Sequence, residues 1–114
     1  MPKKLKPLLI AKYDITHKIF NEFADLESRH ILFSIIKKPK EVQDIAKKTK
    51  IPVSTVYKKM KKLTEFSLVS IKRDFAENDR IVELYQSNID NVRIDISAFE
   101  PSISFNKNLN VKNE

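Results

Sequence analysis

Glu41-Val42-Gln43-Asp44-Ile45-Ala46, followed by Ile51-Pro52-Val53-Ser54-Thr55-Val56-Tyr57-Lys58-Lys59-Met60, is the stretch that decides how this chain folds. Val42, Ile45, Ala46 and Thr49 share one side of a helix over about 40–49. Pro52 marks the next boundary, because proline suits a first helical turn, where its missing N–H would have no partner anyway. The helical period then continues to Phe66. Val56, Met60 and Leu63, at i, i+4 and i+7, point inward, and Lys58, Lys59, Lys61 and Lys62 surround them. About three residues, 50–52, join the two helices, and the small Ala46 lets another helix cross closely.

Upstream, Leu26, Ile31, Leu32, Ile35 and Ile36 form the apolar face of a further helix, widened by Phe33 and capped by Asp25. It stops before Pro39, whose ring disfavours helix in the preceding residue. Asp14 is a fair cap for a short helix carrying Ile15, Ile19 and Phe23, with Phe20 alongside. Residues 1–12, with four lysines and two prolines, read as an extended arm. Downstream of Phe66 the period changes from 3.6 to 2. Leu68, Val69 and Ile71 lead into Lys72-Arg73, polar Ala76-Glu77-Asn78-Asp79 follows, and 80–85 alternates again, so two strands flank a turn. Val92, Ile94 and Ile96 read as another strand, with Ile103 and Phe105 as its partner. Residues 106–114 read as a flexible tail.

Helix, helix, tight turn, helix and β-hairpin in this order resemble a winged helix-turn-helix domain of the ArsR/MarR-like transcriptional regulators. The Lys/Ile bias is similar to archaeal members. The matching part is roughly 26–85, about half the chain, and its most specific residues are those of the opening stretch with Leu63 and Leu68-Val69. The fold class expected is α+β, mainly α: one domain over 13–105, its helix-turn-helix at about 40–66 and its wing at about 68–86. An extra N-terminal helix and C-terminal strands flank it. The resemblance implies that helix 52–66 enters the major groove of double-stranded DNA.

Charge placement points the same way. The chain carries 22 basic and 15 acidic residues, a net charge of +7. Residues 26–66 hold eleven basic and four acidic residues, so this segment alone accounts for the whole excess, while 67–114 is net acidic. A basic segment on a balanced chain is the footprint of a polyanion binder. AT-rich coding competes as an explanation, since it also enriches Lys, Ile and Asn, but it explains residue types better than their placement. Four lysines within five positions repel one another, by a few tenths of a kcal/mol per neighbouring pair, which favours an anionic partner over a merely solvated face.

B-DNA's major groove admits one helix, which must bury one stripe and offer the other. The candidate contacts on that offered surface are Ser54, Thr55, Lys58, Lys61 and Lys62, with Tyr57 at the border. Hydroxyls near a helix start reach bases or phosphates, or else simply satisfy the backbone there. Tyr57 either touches DNA or packs under the wing. Lys40 and Gln43 open the preceding helix, which lies over the DNA backbone in this geometry. Arg73 and Arg80 flank the wing turn, facing a minor groove or pairing with Asp74 or Asp79.

The exclusions are as useful. With no glycine, where about 7% would bring roughly eight, no Gly-rich phosphate loop exists. With no cysteine there is no disulfide or thiolate site. His17 and His30 are isolated, and Asp14, Glu22, Asp25 and Glu27 are explained by capping and solvation, so no enzyme activity, metal or cofactor is expected. The longest apolar run, residues 8–11, is too short for a membrane span. A cytoplasmic, nucleoid-associated protein is expected, with double-stranded DNA and a second copy of itself as partners. The alternative is a winged-helix protein-interaction module whose partner belongs to transcription or chromosome machinery. RNA is a weaker option, lacking an aromatic strand pair. Finally, Lys50 and Asn78 must take the left-handed positions where such folds usually place glycine.

Overall fold

The structure, a computed structural model, describes residues 7–112, with side chains from residue 15 onward. Four helices are followed by two hairpins: α1 (Pro7–Ala24), α2 (Leu26–Ser34), α3 (Val42–Thr49), α4 (Val53–Glu65), β1 (Val69–Phe75), β2 (Ile81–Ser87), β3 (Ile89–Asp95) and β4 (Ser102–Lys107). This is the expected α+β, mainly helical winged-helix architecture. A 3-10 turn, Glu77–Asp79, forms the wing tip.

The core forms where helical periodicity places it. Ile31, Leu32, Ile35, Ile45, Val56, Met60 and Leu63 are fully buried and merge with Val42, Ala46, Ile51, Leu68, Val69 and Tyr85. Leu26 and Phe33 are the exceptions in α2, 71% and 40% exposed: Leu26 opens the helix ahead of the turn that meets the core, and Phe33 does not widen the buried face as expected. Asp25 caps α2 as expected, accepting from the Ser28 N–H at 3.0 Å. The helix ends at Ser34, earlier than expected. Ile35 and Ile36 continue as irregular chain held by other elements: the Ile35 carbonyl accepts from Ser87 N–H at 3.0 Å, and the Ile36 carbonyl from Gln86 Nε2 at 3.2 Å. Lys40 is likewise outside α3. It makes a two-way backbone bridge with Tyr85, at 3.0 and 2.9 Å, that adds a third, one-residue rung to the wing.

The chain ends differ from the sequence reading. α1 starts at Pro7, so residues 7–12 are helical and Asp14 lies inside the helix instead of capping it. The rest of the expected arm, residues 1–6, lies outside the described residues. The expected tail joins the fold: Asn106 and Lys107 belong to β4, and Asn108 is buried. Its Nδ2 donates to the Ile36 carbonyl at 2.7 Å and the Ser87 carbonyl at 2.8 Å, while its N–H donates to the Asn88 carbonyl at 2.9 Å. Polar composition suggests solvation, and here those polar groups find protein partners instead.

Both hairpins are antiparallel. Phe75 pairs with Ile81, Arg73 with Glu83 and Ile71 with Tyr85 in the wing. Val92 pairs with Phe105 and Ile94 with Ile103 in the second hairpin, in line with the alternation of the sequence. That hairpin leans on α1 through Phe23 and Phe105, whose rings lie 6.1 Å apart.

Lys50 (φ 61°) and Asn78 (φ 77°) do adopt left-handed backbone, and Ser67 (φ 59°) and Asp79 (φ 57°) join them. Ser67 closes α4: its N–H donates to Thr64 O and the Leu68 N–H to Leu63 O, both at 2.9 Å, the crossed bonding in which glycine is usual.

Lys50→Gly is expected to stabilise the domain by about 0.5–1 kcal/mol. The relieved strain of about 1–2 kcal/mol exceeds the extra freedom of the unfolded chain, about 0.4–1 kcal/mol. Asn108→Ala is expected to cost about 1–3 kcal/mol, because it strips buried carbonyls of a donor. Urea unfolding measures both.

Candidate nucleic-acid interface

α4 buries Val56, Met60 and Leu63 and leaves the opposite side to solvent. At 3.6 residues per turn the outward centre of the helix carries Ser54, Lys58 and Lys61, and all three are exposed. Neither lysine makes an ion pair with a described residue. The helix begins at Pro52 with no side-chain cap and no acidic residue in its first turn. Its first amide groups and the positive end of its dipole therefore meet no carboxylate of their own, which is the electrostatic setting that attracts a phosphate. Thr55 is half-buried beside this end.

The remaining α4 lysines divide between the flanks. On the side of the α1–α2 corner, Lys59 Nζ lies 3.0 Å from Asp25 Oδ2 and Lys62 Nζ lies 4.0 Å from Glu22 Oε1. Lys59 is held charged by its bond to Asp25, which raises its pKa above the ordinary 10.5 despite burial. Lys62 thus belongs to the basic face but already has an acidic neighbour. On the wing side, Tyr57 and Lys61 line an apolar cleft of about 520 Å³ with Met60, Ile71 and Tyr85. Tyr57 sits at the seam of helix and wing, 53% exposed.

A smaller cavity of about 260 Å³ joins Tyr57 to Glu41, Gln43, Arg80, Glu83 and Tyr85. Three of the expected contacts, Gln43, Tyr57 and Arg80, therefore lie at one mouth. Arg80 Nη2 is 3.5 Å from Glu41 Oε1, a partner on the helix-turn-helix and not the expected Asp79. Glu83 accepts from the Tyr85 hydroxyl at 3.0 Å, and burial together with that carboxylate pushes the Tyr85 phenol up to about 12. Arg73 sits directly across the strands from Glu83. The end of the wing is apolar: Phe75 and Ile81, paired across the strands, are 70% and 65% exposed.

Lys40 is drawn into a cluster that periodicity does not reveal. The Lys48 ammonium beside it, burial, and the charges of Lys48 and Lys38 lower its pKa from 10.5, with Asp44 opposing them. Lys48 and Lys38 thus add to the positive surface near the start of α3. His17 stacks on Phe20, with ring centroids 6.4 Å apart. Among the described residues no group of three or more His, Cys, Asp or Glu side chains is placed to hold a metal. No described helix is long and apolar enough to cross a membrane.

Helical core, tight turn, outward-facing α4 and β1–β2 hairpin define a winged helix-turn-helix protein. Among solved structures the chain is similar to NolR from Sinorhizobium fredii, with a TM-score of 0.63 and 26% identity over 78% of this chain and 84% of that one. No family model and no curated protein sequence matches the chain.

Burial pushes the Asp25 carboxyl up, but hydrogen bonds from Ser28 and Lys59 outweigh it and hold the group below its ordinary 3.8. A carboxylate with a lowered folded value stabilises fully above its unfolded value and loses that contribution as pH falls through the folded one. Asp25→Ala is accordingly expected to cost about 1 kcal/mol at neutral pH. Thermal melts of the two proteins should converge as the pH drops below 3.8.

Proposed function

We propose that this chain is a DNA-binding transcriptional regulator that inserts α4 into the major groove and uses the β1–β2 hairpin as its wing. The observation that carries the reading is α4 itself: one stripe buried, Ser54, Lys58 and Lys61 outward, and a first turn without a carboxylate. The likeness to NolR supports it at the level of the winged-helix class. The contacts follow from position. Ser54 and Thr55 serve bases or phosphates at the helix start, Lys58, Lys61 and Lys62 serve phosphates along it, and Tyr57 serves the edge toward the wing. Lys40 and Gln43 approach the backbone from the start of α3, and Arg73 and Arg80 do so from the wing.

A homodimer belongs to this proposal. Ile15, Ile94 and Ile96 are exposed on α1 and the second hairpin, outside the DNA-facing side, and a two-fold pair spaces two recognition helices one DNA turn, about 34 Å, apart. Sedimentation equilibrium should report a dimer, and Ile94→Glu with Ile96→Glu should shift it to monomer.

One observation favours the alternative, a protein-interaction module. The wing tip presents Phe75 and Ile81 among Asp74, Glu77 and Asp79, a surface better suited to a protein than to phosphate.

Lys58→Ala with Lys61→Ala is expected to weaken duplex binding. It should flatten the slope of log K against log salt by about 0.9 for each phosphate that is no longer neutralised. Salt-dependent anisotropy titrations measure this. Unchanged affinity in a folded double variant would exclude α4 as the DNA-reading helix, and absence of duplex binding by the parent protein at low salt would leave the interaction module as the reading.

A further inference from the structure

Glu22 and Lys62 form a pair whose two members differ sharply in freedom. The Glu22 side chain is nearly buried at the end of α1, and its Oε2 lies 3.1 Å from Ser28 Oγ. The same hydroxyl lies 2.7 Å from Asp25 Oδ2. A serine hydroxyl has one proton to donate, so it serves one carboxylate at a time and the other must lean on a lysine. Asp25 has Lys59, a close pair at 3.0 Å in which both side chains are about a third exposed or less. Glu22 has Lys62, at 4.0 Å, whose side chain is 62% exposed on the basic side of α4. The carboxylate is fixed and the ammonium is free to swing.

We propose that Glu22 is an internal competitor of DNA phosphate for Lys62, so that α1 sets how much positive charge the recognition helix offers. This rests on the DNA-binding reading above. When Lys62 turns to a phosphate, nearly buried Glu22 loses one of its two neighbouring cations and keeps only the field of Lys59, and the cost of that exchange subtracts from affinity. Lys58 and Lys61 carry no such cost. The Asp25–Lys59 pair stays in place as the fixed half of the corner, because Asp25 also caps α2. By linkage, whatever moves the end of α1 changes DNA affinity, and bound DNA loosens α1 to the same extent.

The test uses the full chain and a labelled mixed-sequence duplex titrated between about 50 and 200 mM salt. Glu22→Gln keeps an acceptor for Ser28 and removes the charge. It is expected to tighten binding and steepen the log–log salt slope by up to about 0.9, so its advantage over the parent falls roughly 3.5-fold across that range. In a Lys62→Gln background the same substitution should change nothing. Asp90→Asn, an exposed acid on the second hairpin, should leave the slope unaltered. Independently of any change at Glu22, Lys62→Gln alone should flatten the slope less than Lys58→Gln does. A Glu22→Gln gain that survives in the Lys62→Gln background, or equal flattening by the Lys62 and Lys58 substitutions, would overturn the proposal while leaving DNA binding intact. Absence of duplex retention by the parent protein at low salt would overturn the DNA-binding reading and this inference with it.

Discussion

The short irregular segment between α2 and α3 is what the rest of the molecule hangs on. A chain that leaves a helix exposes carbonyls, and buried carbonyls must find donors. Here Ser87 N–H serves Ile35, while Gln86 Nε2 and Asn108 Nδ2 both serve Ile36. Lys40 then exchanges two backbone bonds with Tyr85. One short stretch thereby ties the helix-turn-helix to the base of the wing and to the end of the second hairpin. The base of the wing is consequently fixed from behind, by backbone and side-chain hydrogen bonds, while beside the tip Arg80 reaches Glu41 at 3.5 Å. That leaves the tip residues Phe75 and Ile81 under no structural obligation to be apolar, which is why their exposure points to a surface used for contact.

Legibility in the sequence tracks how local each feature is. α3, α4 and the turn between them are readable because each is a single periodic stripe bounded by Pro52 or a cap. Lys50 and Asn78 are readable because the fold demands a left-handed residue where no glycine exists. Ser67 escapes notice: its φ is imposed by the crossed hydrogen bonds that end α4, and a serine in a polar turn carries no mark of that. The start of α1 is hidden by lysines and prolines that resemble a frayed arm, with Asp14 offering a plausible but false cap. Asn108 is hidden for the opposite reason. Hydropathy assigns asparagine to solvent, and only a long-range view shows carbonyls waiting for its amide.

The candidate site divides along the same line. Which α4 residues face out follows from the helical period, so Ser54, Lys58 and Lys61 lie where expected. What the lysines meet does not follow, because Glu22, Asp25 and Glu41 arrive from elsewhere in the fold. The Lys38, Lys40 and Lys48 cluster is likewise made by the linker folding back on α3.

A charge count along the chain therefore overstates what this surface offers. Residues 26–66 carry a net +7, yet Lys59 and Lys62 face carboxylates contributed from before that segment. At 3–4 Å an opposite charge offsets most of a lysine's field beyond the Debye length of about 8–10 Å. The positive potential that reaches a partner comes from Lys58 and Lys61 on α4, from the Lys38, Lys40 and Lys48 group near α3, and from the exposed Lys37, Lys47 and Lys50. At the Gln43–Arg80 mouth Glu41 and Glu83 contribute carboxylates, the former paired with Arg80. Under the DNA-binding proposal, lysines serve the phosphates that line a groove, and carboxylates must lie away from them. Acceptors such as Glu41 and Glu83, unfavourable opposite phosphate, are usable opposite the amino groups of bases.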